Sequence, residues 1–115
     1  MIRILFTALL LYGYLSYATP VDIDNTVKEL ESLSGCELVI TSGFRTPEHN
    51  KRVGGAPNSY HLYNRARDVV PKDKKCISIK ELGKIACKIT SSIIYKKHIH
   101  LDNRKNPICI KGRYK

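Results

Sequence analysis

Apolar residues at Ile23, Val27, Leu30 and Leu33 recur every three or four positions, the spacing that gives a helix one buried face. A helix is predicted over Asp22–Ser34, with Thr26 and Glu29 as a capping box and Gly35 as its terminator. "CELVITS" then turns β-branched and predicts a strand. The polar stretch "GFRTPEHNKRVGGAPNSYH" follows, with two prolines and the Gly54-Gly55 pair, and predicts a long loop. A loop of that length in a compact chain is usually functional. "ARDVV" predicts a short strand. "SIKELGKIACKI" has the clearest helical pattern: Ser78 and Glu81 make a capping box, and Ile79, Leu82, Ile85, Ala86 and Ile89 form one apolar face. "SSIIY" and "HIHLD" predict strands, with a last short segment around "PICI".

This order predicts an α+β fold with a small, largely antiparallel sheet and two or three helices. With 115 residues there is room for one domain. The opening "MIRILFTALLLYGYLSYA" has Arg3, an apolar run from Ile4 to Leu15, and small residues at Ser16 and Ala18. It predicts a signal peptide over 1–18, cleaved after Ala18, and a single domain over 19–115. The apolar run is short for a membrane span, which needs about 20 residues. Cys36, Cys76, Cys87 and Cys109 are even in number, and an exported chain meets oxidising conditions, so two disulfides are expected. Their pairing is open among three connectivities. No C-x-x-C pair occurs, which argues against a cysteine zinc site. The formal charge of +10 favours anionic partners such as nucleic acid, acidic membranes or bacterial walls. The chain has no nucleic-acid motif or aromatic-rich basic repeat, and its helices are needed for the core, so walls are favoured over nucleic acid or stable membrane insertion.

On a strand, "HIHLD" places His98, His100 and Asp102 on one face and Ile99 and Leu101 on the other. His61 and Asp68 lie seven positions apart in "HLYNRARDVV". A catalytic zinc takes three protein ligands of these types and keeps a fourth position open. His61, Asp68 and one C-terminal histidine supply that set. Taken singly, a loop histidine and a surface Asp68 paired with Arg65 or Arg67 would explain them; together they point to a metal.

The stretch Thr41 to Val70, with its S-G-F-R at Ser42–Arg45, its N-x-x-V-G-G-A-x-N-S-x-H at Asn50–His61 and Asp68, resembles the zinc D-Ala-D-Ala carboxypeptidase family of peptidoglycan peptidases. The C-terminal H-x-H of His98 and His100 fits the same pattern. That family includes endopeptidases and phage endolysins and shares its fold with the hedgehog signalling domain. The resemblance implies that His61, Asp68 and His100 bind Zn2+. It implies that His98 flanks the metal and acts on the attacking water, with Asp102 as the second candidate base or as a partner orienting a ligand histidine. Arg45 would stabilise the developing oxyanion, and Ser59 would hydrogen-bond the substrate. Many relatives have Gly at the position of Asn64 and Ala at that of Arg67. Some have a carboxylate where this chain has Lys97, so that base is missing here. His49 has no matching partner and reads as a surface residue.

The implied activity is that of a secreted, monomeric zinc metallopeptidase cutting D-amino-acid-containing bonds of bacterial peptidoglycan, as a carboxypeptidase or an endopeptidase. The alternative is a catalytically weak or inactive zinc-binding module of the same fold that binds cell wall.

Overall fold

The computed structural model describes residues 22–113; the predicted signal peptide lies outside them. Helix α1 spans Ile23–Ser34 and is followed by strand β1, Leu38–Ser42. A short helix α2, Pro47–Arg52, and a 3-10 turn, Tyr60–Tyr63, lead to β2, Ala66–Pro71. Helix α3, Ile79–Ile89, precedes β3, Ser91–Ile94, β4, Ile99–Asp102, and β5, Cys109–Lys111. The α+β class expected from the pattern holds, and so do the two disulfides, which join Cys36 to Cys76 and Cys87 to Cys109.

The sheet order is β1-β2-β4-β3-β5. Its first three pairings are antiparallel, but β3 and β5 run parallel, so the sheet is mixed rather than largely antiparallel. The cause is the route of the chain. β4 ends at Asp102, opposite Ser91 at the start of β3. The connection passes that end of β3, where Ser92 N donates to Ile108 O at 2.8 Å, and β5 then enters alongside β3 in the same direction. The Cys87–Cys109 disulfide ties β5 to α3.

Period-two alternation gives the sheet two different faces. Val69, Ile99 and Leu101 point to the side covered by α1 and α3 and are fully buried against Ile23, Val27, Leu30, Leu82 and Ala86. Arg67 shares that side, and its Nε donates to Asp24 Oδ1 in the first turn of α1 at 2.9 Å. It therefore points away from its neighbour Asp68. Asp68, His100 and Asp102 face the other side, which the segment between β1 and β2 covers.

Two local expectations need correction. The α1 cap is Asp22, whose carboxylate accepts from Asp24 N at 3.0 Å; Thr26 is a buried residue inside the helix rather than the cap. Either residue type can cap, and packing of the Ile23 turn selected the earlier one. The long loop also contains regular structure. Thr46 caps α2 ahead of Pro47, a favourable first helical residue, and Ser59 caps the 3-10 turn. Gly35 ends α1 in the left-handed conformation as expected, with φ 70°, and Ser78 caps α3.

Candidate metal centre

Antiparallel register puts Asp68 of β2 directly opposite His100 of β4. His61 reaches the same point from the 3-10 turn. Ser59 Oγ accepts the His61 N–H at 3.3 Å to open that turn, and Asn64 closes it at φ 57°, one of the few non-glycine residues able to adopt that conformation cheaply. Arg45 N donates to His61 O at 3.0 Å, pinning the turn to the end of β1. As a result His61 Nε2, Asp68 Oδ1 and His100 Nδ1 lie 3.1 to 3.2 Å from one another. All three residues are buried.

The remaining ring nitrogens fix which atoms carry lone pairs. His61 Nδ1 lies 2.7 Å from Gly43 O, an acceptor only, so its proton sits there and Nε2 is left with a lone pair. His100 Nε2 lies 2.9 Å from Asp102 Oδ2, which leaves His100 Nδ1 as the other lone pair. Two ring nitrogens able to act as lone-pair donors and a carboxylate oxygen thus converge. Tetrahedral zinc with bonds of about 2.0–2.1 Å would separate its ligands by about 3.3 Å, close to the spacing found. His61, Asp68 and His100 therefore fit a divalent metal in both geometry and donor chemistry.

The electrostatics of the metal-free site say the same. Burial alone would raise the Asp68 carboxyl, but hydrogen bonds and charge from His100 and His61 outweigh it and hold the group well below the usual carboxylate range. Burial alone would lower His100, yet Asp102 and Asp68 push it upward. The centre favours a positive charge, which a proton supplies when metal is missing.

A charged layer supports the trio. Asp102 is fully buried behind His100, and its two oxygens also hold Arg104 Nε at 2.8 Å and Nη2 at 2.6 Å. Those contacts, with His100, outweigh burial and keep its carboxyl ionised. Arg104 in turn lies over the Tyr60 ring, 4.8 Å from its centroid, and Arg65 stands 5.2 Å from the same ring. Arg45 donates to Asp68 Oδ2, Asn50 Oδ1 and Ser42 Oγ at 3.2 to 3.3 Å. Gly55 is required by this packing: a Cβ there would sit 2.1 Å from Asn50 Oδ1.

A cavity of about 410 Å3 opens onto the trio, with Arg45, Ser59, Tyr60, Tyr95, His98 and Arg104 in its wall. His98 lies in the turn before β4, with Nε2 3.8 Å from Asp68 Oδ2 and its ring stacked on Tyr95 at 4.6 Å. Burial, and then the charge of Asp68, raise the Tyr95 phenol, so it stays protonated as a donor. Asp102 does not line the cavity.

The sequence profile of the family described as Peptidase M15 matches residues 13–102. The chain belongs to that family. No curated protein sequence matches it. Members of the M15 family are metallopeptidases, usually zinc-dependent, and the His61–Asp68–His100 group is where this M15 family member could hold a metal.

Among residues of this M15 family member that sequence reasoning singled out, the structure brings Arg45, Ser59, His61, Asp68, His98 and His100 to one cavity and places Asp102 directly behind His100. His49 is exposed on α2, outside the cavity wall. Tyr60, Tyr95, Arg104 and Asn50 were missed. Arg104 lies just past the end of β4, where the chain turns so that its backbone N–H and side chain both reach Asp102, a contact that strand alternation does not signal. Tyr95 carried no signal, because its stacking on His98 depends on the turn between β3 and β4.

Proposed function

We propose that the protein is a secreted zinc metallopeptidase that hydrolyses D-amino-acid-containing peptide bonds of bacterial peptidoglycan. The observation that carries this reading is the convergence of three lone-pair atoms, on His61, Asp68 and His100, beside an open cavity. Three ligands and an open side are the hallmark of a catalytic rather than a structural zinc. The D-Ala-D-Ala peptidase motif gives the substrate class, with the hedgehog-like fold as part of the same reading. The two disulfides, and the absence of any helix among the described residues that is long and apolar enough to cross a membrane, accord with export.

A bound zinc supplies Lewis acidity to a water and to the scissile carbonyl. The protein does the rest. His98 takes the proton from the attacking water and returns it to the leaving amine. Its stacking on Tyr95 holds the ring at the cavity wall. Arg45 stabilises the negative charge that develops on the carbonyl oxygen while its other contacts keep Asp68 in place. Asp102 keeps the His100 proton on Nε2 and so directs Nδ1 to the metal. Ser59 offers its hydroxyl proton to the bound peptide.

The test is metal content of the oxidised domain, combined with digestion of purified peptidoglycan with and without a chelator. One zinc per chain and chelator-sensitive release of wall peptides are expected, and the released ends identify the bond. His61→Ala or Asp68→Ala should abolish both metal binding and turnover; turnover that survives either change would sink the assignment. His98→Ala should retain zinc and lose about 10²–10⁴-fold in rate. Zinc without cleavage by the unaltered protein would favour the wall-binding module.

A further inference from the structure

Two open grooves lie beside the metal cavity, on either side of the turn between β3 and β4. The first is lined by Lys80, Lys96 and Lys111 with Tyr95 and Ile79. The second is lined by Lys74 and Lys97 with Ile77 and Ile79. Ile79 stands in the wall of both grooves, and Tyr95 in the walls of both the first groove and the metal cavity, so the three depressions adjoin one another in series. Neither groove has a carboxylate in its wall.

The five lysines come from four separate parts of the chain: the loop after β2, the first turn of α3, the β3–β4 turn and β5. All five are exposed. Among the described residues Lys72 pairs with Glu37 and Lys84 with Glu81, whereas none of these five has an ion pair. Gathering like charges without counter-charges costs free energy through mutual repulsion. Lys80 adds to that cost, since a cation in the first turn of a helix opposes the helix dipole. Fold stability does not account for the arrangement; an anionic ligand would.

We propose that these grooves form a track for an anionic, phosphate- or carboxylate-bearing polymer of the bacterial wall, leading to the mouth of the metal cavity. This rests on the peptidoglycan reading above for its wall context. A chain ligand suits the lysines better than a single ion, because they are exposed and spread along two grooves rather than focused on one buried point. Nucleic acid suits them less well. Tyr95 is the one aromatic residue in the grooves, and its ring is already stacked on His98, so no free platform for bases is present there. A membrane surface also fits poorly, since exposed Val39, Ile40, Phe44 and Tyr63 line neither groove. Lys97, which stands where some relatives have a carboxylate, serves this track rather than the chemistry.

The test is co-sedimentation of the oxidised protein with purified bacterial walls that carry their anionic polymers, and with the same walls after those polymers are stripped. On the scale of a flexible single-stranded phosphate chain, five lysine contacts give a slope of about −3.5 in log affinity against log salt, roughly a 100-fold loss between 50 and 200 mM. Lys80→Gln/Lys96→Gln/Lys111→Gln should reduce the slope to about −1.4. Adding Lys74→Gln/Lys97→Gln should leave binding equal to that on stripped walls. Hydrolysis of a short soluble wall peptide should be unchanged in all variants, while release from intact walls slows. Equal binding to intact and stripped walls, wild-type binding by the variants, or tighter binding to nucleic acid or anionic vesicles than to walls would overturn the track. Binding that follows the lysines without any peptide release would uphold the track and overturn the peptidase; release that ignores the lysines would do the reverse.

Discussion

Asp102 makes no contact with the three converging ligand atoms, yet it determines which nitrogen of His100 is available to a metal. Asp102→Asn keeps the shape but can present its amide rather than an acceptor to His100. Metal affinity should fall about 10–100-fold, read by competition with a chromogenic chelator, with the fold retained. The same groups set the pH dependence of the metal-free protein. Asp68 and Asp102 are depressed below the reference value of 3.8, so their stabilisation is present above it and lost as pH falls towards their folded values. His100 is raised above 6.5, so its stabilisation is complete below 6.5 and is lost as pH rises through its folded value. Chelated protein should therefore have its highest Tm between those limits. Zinc should lift Tm most on the alkaline side, where His100 is already unprotonated. A metal-free Tm that climbs steadily to pH 9 would contradict this assignment of protons.

At the scale of elements, β5 reaches the site through one ring. Gly112, just beyond β5, donates its N–H to Ile94 O at 2.9 Å. A Cβ on Gly112 would come within 2.2 Å of the Tyr95 ring, which itself stacks on His98. Gly112→Ala must therefore move the ring or the strand. We expect a loss of about 1–3 kcal/mol in stability by urea unfolding, together with a fall in kcat and unchanged zinc content. Unchanged kcat would mean that Tyr95 does not position His98. A pattern of apolar and polar positions could not show this dependence, because a three-residue edge strand with all residues exposed carries almost no periodic signal.

At the scale of the whole molecule, the described residues form a thin layer of core with the candidate metal site on its far side. α1 and α3 cover one face of the sheet, and loop structure covers the other, so the site side has little apolar burial of its own. The two disulfides compensate at the ends of the fold. Cys87 and Cys109 are 22 positions apart, and closing a loop of that size is worth about 3–4 kcal/mol. Replacing both by Ser should lower the unfolding free energy by about that amount. It should also loosen β5, so that loss of activity on warming precedes loss of the far-ultraviolet signal from α1 and α3. Coincident loss of both would show that β5 unfolds with the body of the protein.

The sequence by itself determined the two long helices and most strands, because burial on one face writes a period of two or 3.6 into the chain; α2, short and mostly exposed, left no such period. It also determined the metal-ligand candidates, because a zinc site needs particular residue types whatever the surrounding fold, and Asn64 could be accepted in place of glycine from its tolerance of positive φ. Tertiary structure alone decided what depends on partners distant in sequence. Cys36 found Cys76 because β1 pairs antiparallel with β2 and sets Leu38 opposite Pro71, and β5 joined β3 in parallel because of where the chain turns after β4. Arg67 faced α1 rather than Asp68 because its strand alternates and Asp24 awaited it. Tyr95 came to stack on His98, and five scattered lysines came to flank two grooves, through turns and packing. Such juxtapositions follow from summed contacts across the whole fold, and no local run of residues records them.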